Sequence, residues 1–286
     1  RILEVDDESM RGLSINQVVS RMRGDPGESV DIVLARESED DPVEVSIVRE
    51  IIKVESVTNV ALVQPTIGYL RIAQFSAPTA SEMRAAVTDL RARGMTSLII
   101  DVRNNPGGLL SSAKEVLEPF FAAGELMVYT KGRNADDRRE FLSSHEGELW
   151  DFPLVVLINN GSASASEILA GALKDTSKAR IIGETSFGKG SVQSVIGLPN
   201  GEGLRLTTGR YYTPSGVTVN EVGVSPDEEI VMSPEDDLNV TLQRRRPDIS
   251  DPTVFEERFG FAPITDHQLE AAIAYLQGGS REETEE

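Results

Sequence analysis

Leu154-Val155-Val156-Leu157-Ile158-Asn159-Asn160-Gly161-Ser162-Ala163-Ser164-Ala165-Ser166-Glu167 joins an unbroken apolar run to a polar, glycine-bearing turn and then to a helical segment reaching Lys174. An apolar run without polar alternation is the pattern of a strand covered on both faces, as in parallel sheets. A second such strand, Ser97 to Val102, runs into the turn Arg103-Asn104-Asn105-Pro106-Gly107-Gly108 and a helix through Lys114 to Phe121. Upstream, Ile67 to Ile72 reads as a strand, and Ser81 to Arg93 as a helix capped by Ser81 and stopped by Gly94. Strands alternating with helices predict an α/β core. After Gly183 the sequence is again β-like, ending near Ile230-Val231.

The flanks differ in character. Ile2 to Val5 reads as a short strand, and Ile15, Val18, Val19 and Met22 keep helical spacing behind Ser14, a plausible N-cap. Val30 to Leu34 and Val43 to Val48 read as a hairpin across the acidic stretch Glu37 to Asp41. This gives a small unit over 1–48, a main domain over 49–232 and an extension over 233–286 with one clear helix, Gln268 to Leu276. The acidic stretches Glu37 to Asp41 and Arg281 to Glu286 are expected to be solvated and flexible.

Composition narrows the chemistry. The chain has 286 residues and a formal net charge of −19, which repels phosphate backbones and argues against a nucleic-acid partner. It has no cysteine, so disulfides, thiolate metal sites and cysteine nucleophiles are excluded. Its two histidines, His145 and His267, are unpaired in sequence and offer no zinc spacing. No metal and no cofactor are expected. No apolar run approaches the roughly 18 residues that would span a bilayer.

Three glycine-lined segments could carry chemistry. Gly161 to Glu167 opens a helix at the end of a buried strand, where free N–H groups and the positive dipole end could meet an oxyanion. Serines in such a turn also serve as ordinary caps. Gly183-Glu184-Thr185-Ser186-Phe187-Gly188-Lys189-Gly190 holds a lysine that neighbouring backbone could approach and desolvate, which favours the neutral amine. The alternative is a solvated turn. Arg103 to Gly108 could supply half of an oxyanion hole or simply a tight connection. The second segment nearly spells a phosphate-binding loop. Position 190 is glycine instead of Ser or Thr, however, and Ser191 to Ile196 alternates like a strand instead of opening a helix. Ser111-Ser112-Ala113-Lys114 fits S-x-x-K, but the partner motifs SDN and KTG are absent, and it reads as a helix start.

Read together, Ile67 to Ile72 with Phe75, Asp101 to Leu109, Asn159 to Ala172, Gly183 to Val192 and Tyr211-Tyr212-Thr213-Pro214-Ser215-Gly216 resemble the carboxy-terminal processing peptidases. The resemblance runs in consistent order from about residue 1 to residue 231. It implies a ClpP/crotonase-like α/β core (α+β over the whole chain), a partial PDZ domain over 1–48 and a Ser–Lys dyad. Ser164 and Lys189 have the family's spacing of 25 residues. The resemblance assigns Gln193 to orienting the amine, the N–H groups of Gly108 and Ala165 to the oxyanion hole, and an auxiliary carboxylate to Asp175. The implied function is ATP-independent cleavage of proteins near their C-terminal tails, with the PDZ domain recruiting tails and gating activity. The implied partners are proteins or peptides with accessible C-termini, and the family also admits an adaptor protein or a homo-oligomer. The implied location is exported, in a bacterial periplasm or envelope. Two other readings are a non-catalytic tail-binding scaffold of the same family and a P-loop NTPase.

Overall fold

The computed structural model describes residues 1–36, 39, 41–51, 54–199, 201–246, 249 and 251–278. The chain forms two compact units, Arg1–Val54 and Glu55–Glu286.

In the first unit, strands β1 (Ile2–Val5), β2 (Glu8–Ser9), β3 (Ser29–Leu34) and β4 (Val43–Val48) form an antiparallel sheet of order β2-β1-β3-β4 beside helix α1 (Ile15–Met22). Ser14 caps α1, and Gln17 Oε1 accepts from the Ser14 N–H at 2.9 Å. Val5, Met10, Val30 and Ile32 make its small core, with Val18 and Met22 of α1 packed against it. The expectation of a flexible acidic stretch at 37–41 falls partly outside the described residues, and that at 281–286 wholly so.

The second unit is built on a six-stranded sheet. Its elements in chain order are β5 (Val57–Gln64), β6 (Ile67–Ile72), α2 (Thr79–Ala92), β7 (Ser97–Asp101), α3 (Leu110–Leu117), β8 (Leu126–Lys131) and β9 (Arg139–Leu142). They continue with β10 (Leu154–Ile158), α4 (Ala165–Asp175), β11 (Arg180–Gly183), β12 (Ser191–Gly197), β13 (Gly203–Tyr212) and β14 (Glu228–Glu229). The chain then runs through α5 (Pro234–Arg245), α6 (Pro252–Phe259) and α7 (His267–Gly278). The sheet order is β14-β11-β10-β7-β6-β5, parallel from β6 to β14, with β5 antiparallel at one edge. A second, antiparallel sheet of order β12-β13-β8-β9 completes the unit. The fold is thus mixed α and β, as the sequence pattern implies.

Every residue of β7 and β10 is buried. Their even faces, Leu98, Ile100, Val156 and Ile158 among them, join the core under α2, α3 and α4, while Ile99, Val155 and Leu157 face Ala272 and Leu276 of α7. Two covered faces are the reason these strands are apolar throughout.

Two expectations need correction, and three strands were not expected. The α2 helix begins at Thr79, not Ser81: Thr79 Oγ1 accepts from Ser76 N at 2.9 Å, and the Ser81 hydroxyl donates to the Pro78 carbonyl at 2.7 Å, which places Ser81 inside the first turn. The strand β5, mostly half-buried at the sheet edge, and the hairpin β8–β9 have no counterpart in the sequence reading. The segment after 232 holds three helices and belongs to the second unit instead of forming an extension.

Beside the apolar contacts of α7, ion pairs bind that segment. Asp101 is fully buried and accepts from Arg103 N, Nε and Nη2, from Tyr69 Oη at 2.7 Å and from Arg244 Nη1 at 2.6 Å. Arg103, equally buried, also reaches Asp266 at 2.7 Å and Gln268 at 2.9 Å at the start of α7. Burial alone would raise the Asp101 carboxyl, but Arg103 and Arg244 outweigh it and hold it well below the usual carboxylate range. Asp101→Asn leaves Arg103 short of a counter-charge and should cost roughly 3–5 kcal/mol in denaturant unfolding at neutral pH. Because the folded carboxyl is depressed, its contribution is complete above the unfolded value near 3.9 and fades below it. The stability gap between wild type and Asp101→Asn should therefore narrow as pH falls below about 4.

Candidate active site

Three adjacent strands deliver three turns to one edge of the sheet. Leu157 of β10 pairs with Asp101 of β7, and Ile158 with Gly183 of β11. The turns 103–108, 159–164 and 184–190 therefore leave side by side at the carboxyl ends of parallel strands, where crevices form in open α/β sheets.

The first two turns are fastened to each other. Asn104 N donates to Asn159 Oδ1 at 2.8 Å, and Asn159 Nδ2 returns a bond to Asn104 Oδ1 at 3.1 Å. Ala163 N and Ser166 Oγ both donate to the Asn105 carbonyl at 3.0 Å. Ser162 Oγ donates to Val102 O at 2.8 Å. A carboxylate from α5, Asp237, accepts from both Asn104 and Asn159. Gly107 comes so close that a Cβ there would lie 2.8 Å from Ser164 Cβ and 2.9 Å from Ala165 N.

Ser164 stands at the N-cap of α4 with φ 55° and ψ −110°, a backbone conformation rare outside glycine. Strain of this kind holds only where the surroundings over-determine it. Ser164 occupies the cap position that the sequence allows, yet it is partly accessible, between buried Ala163 and Ala165. Gly108 has φ 147°, and Phe75 pairs with it: Leu109 N donates to Phe75 O, and a Cβ on Gly108 would meet that oxygen at 1.9 Å. Among the described residues, neither the Gly108 N–H nor the Ala165 N–H donates to another group, so both remain free at the opening of the cleft.

The third turn is held by a residue whose role the sequence reading missed. Glu167, in the first turn of α4, is fully buried. Its Oε2 accepts from Ser164 N and Lys189 N, each at 2.8 Å, and its Oε1 from Ser186 Oγ and Gly188 N, each at 2.6 Å. Four donors fill the capacity of one carboxylate. Phe187 N adds a bond to Ser162 O at 3.0 Å. The S-x-x-E spacing of Ser164 and Glu167 signals a capping box, but nothing local announces the partners near residue 188. With Gly188 and Lys189 N–H groups committed to Glu167, and β12 following directly, this turn cannot serve as a phosphate cradle.

Lys189 itself departs from expectation. Its backbone is beside Ser164, but its side chain is exposed, not desolvated, and no hydrogen bond joins Nζ to Ser164 Oγ or to Gln193 among the described residues. The drawn-in backbone of the turn leaves the side chain on the solvent side. Gln193 is exposed on β12, next to a bulge at Val192. Asp175 lies at the far end of α4, about 16 Å from Ser164 at 1.5 Å per residue. It accepts from Ser215 N at 2.6 Å and Ser215 Oγ at 2.5 Å, which makes it an anchor for the 213–216 turn. The S-x-x-K segment starts α3 without a role here, and Lys114 pairs with Glu118. His145 and His267 lie on an outer turn and at the start of α7.

Residues 66–230 match the model of peptidase family S41. The chain belongs to that family. It is 44% identical over 231 residues to a carboxy-terminal-processing protease of Bartonella bacilliformis, covering 79% of this chain and 52% of the relative. A carboxyl-terminal-processing protease of Synechocystis is 33% identical, covering 98% of this chain and 60% of that protein. Among solved structures, a photosystem II D1 C-terminal processing protease aligns with a TM-score of 0.55 and 34% identity, over 80% of this chain and 62% of that one. The chain thus spans little more than half the length of these curated relatives.

For this S41 chain, Glu167→Ala should strip the acceptor from four donors, lower stability by roughly 2–3 kcal/mol and loosen the 186–190 turn. Hydrogen exchange should then report lost protection at Gly188 and Lys189. Unchanged protection there would show that another contact holds the turn.

Proposed function

We propose that the chain is a serine endopeptidase, independent of ATP, that cleaves proteins near their C-terminal tails. The observation that supports it most is the strained Ser164 set between two uncommitted N–H groups, Gly108 and Ala165, with the Lys189 turn bound alongside. In this reading Ser164 Oγ attacks the peptide carbonyl while Lys189 accepts its proton, and Gly108 and Ala165 stabilise the oxyanion. The ammonium returns the proton to the leaving amine, and water releases the acyl group. Gln193 orients the amine.

Because Lys189 starts exposed, the dyad closes when peptide fills the cleft and the amine folds inward. Loss of its water favours the uncharged form that the first step needs. Asp175 takes no part in proton transfer.

The first unit supports a tail-capturing PDZ role through its sheet and its helix α1, on which Ile15 and Val19 stay exposed. Substrates are proteins or peptides with accessible C-termini, recruited and gated by this unit, with an adaptor or a second copy as further partners. An exported location, periplasmic or envelope-associated, fits relatives described as chloroplastic or bacterial.

The missing Ser164–Lys189 hydrogen bond favours a second reading, a non-catalytic scaffold that binds tails. A fluorophosphonate probe and casein cleavage separate the two. Under the peptidase reading, wild type is labelled at Ser164, and Ser164→Ala and Lys189→Ala each abolish turnover with circular dichroism and Tm unchanged. Full activity in either variant would refute the assignment.

A further inference from the structure

A cavity of about 570 Å³ opens at the amino ends of β10 and β11, at the end of the sheet opposite the catalytic turns. Leu154 and Arg180, the first residues of those strands, line it together with Lys174 from the last turn of α4 and Tyr275 of α7. None of its lining residues belongs to the turns around Ser164. Its volume suits one small organic molecule.

Its walls differ in chemistry. One is aromatic: Trp150 stacks on Phe152 with ring centroids 5.9 Å apart and meets Phe120 edge-on at 5.4 Å. The Trp150 backbone N–H donates to the Pro119 carbonyl at 2.8 Å, which fixes this wall to the end of α3. Trp150 and Phe152 are half-buried, so they keep ring surface that a flat apolar body would cover. The other wall is cationic. Lys174 pairs with Asp227 and Lys178 with Glu125, each at 3.1 Å, which accounts for both lysines as staples around the end of α4. Arg180 has no such account. It pairs with no carboxylate among the described residues: Nη2 donates to the Asp227 carbonyl at 3.3 Å, Nε is buried without an acceptor, and the guanidinium lies 5.6 Å from the centre of the Tyr275 ring. Against the three cations the lining sets two carboxylates, Asp151 and Asp227. Asp227 is committed to Lys174 and to Ile181 N, and Asp151 is exposed with no cation paired to it among the described residues. A single positive charge in excess suits one anionic group and falls short of a polyphosphate.

We propose that this cavity is a binding site for a small aromatic acid, with its ring set against Trp150 and Phe152 and its one anionic group on Arg180. The aromatic wall supplies the apolar contact, and the guanidinium short of acceptors selects the charge. The site stands apart from the catalytic cleft, so the inference holds whether or not Ser164 is a nucleophile.

Trp150 is the single tryptophan of the chain, so energy transfer from it reports a dye seated in this cavity. The test titrates the full chain with anilinonaphthalene sulfonate and with phenylnaphthylamine, the same aromatic body without the anionic group. The sulfonate should take energy from Trp150 and bind at least about tenfold tighter than the neutral dye. Arg180→Gln should bring the ratio of the two affinities toward one. Asp151→Asn removes the uncommitted carboxylate and should tighten the sulfonate roughly two- to threefold at low salt, a gain that damage to the fold would not produce. Asp151 is exposed, so Asp151→Asn carries the test should Arg180→Gln fail to fold. No energy transfer from Trp150 to the sulfonate, equal affinities for the two dyes, or a ratio that both variants leave intact would overturn the proposal.

Discussion

A single buried carboxylate organises the site. Glu167 sits at the N-terminus of α4, where the helix dipole and free N–H groups favour negative charge. It cannot be left there unsatisfied, because burying an unpaired carboxylate is far costlier than any one hydrogen bond gains. Its four donors come from the nucleophile turn and from the Ser186 to Lys189 segment. Satisfying Glu167 therefore draws the lysine-bearing turn onto the serine-bearing turn. The same demand separates the two parts of Lys189: the backbone is fixed beside Ser164 while the side chain stays exposed.

A second buried charge system sets the floor beneath the site. Asp101 ends β7, directly before the oxyanion turn, and ties Arg103 to α5 and, through Asp266 and Gln268, to α7. Asp237 of α5 binds Asn104 and Asn159, the residues that clamp the two turns together. The segment after residue 232 is therefore structural support for the cleft. Its charged groups Asp237, Arg244 and Asp266 are partly buried against that floor, while Ala272 and Leu276 supply an apolar face. The arrangement fixes the orientation of the turn that carries Gly107 and Gly108.

Glycine at 107 and 108 has a steric cause at this same place. Gly107 lies against Ala163 and Ser164, and Gly108 lies against the Phe75 carbonyl, both at positive φ. Side chains at either position would part the turns and close the space between Gly108 N and Ala165 N. The Asn105 side chain completes the turn by donating to Ile72 O and accepting from Gly107 N.

By itself the sequence determined the strands Ile67 to Ile72, Ser97 to Asp101 and Leu154 to Ile158, because strands buried on both faces must be apolar throughout. It also determined the helix start at Ser164 and the three glycine-lined turns, because capping and tight turns demand particular residues locally. It left β5, the β8–β9 hairpin, α5 and α6 unread: β5 is a half-buried edge strand, and α5 and α6 each bury a single side chain, Val240 and Phe255, so they carry little periodic apolar signal. Only the tertiary structure decided that the three turns share one edge, that Glu167 binds the serine turn to the lysine turn, that Asp175 anchors the 213–216 turn at the far end of α4 and that Lys189 is exposed. Those outcomes depend on strand order and on hydrogen bonds between residues 19 or more positions apart, and no local pattern encodes such partners.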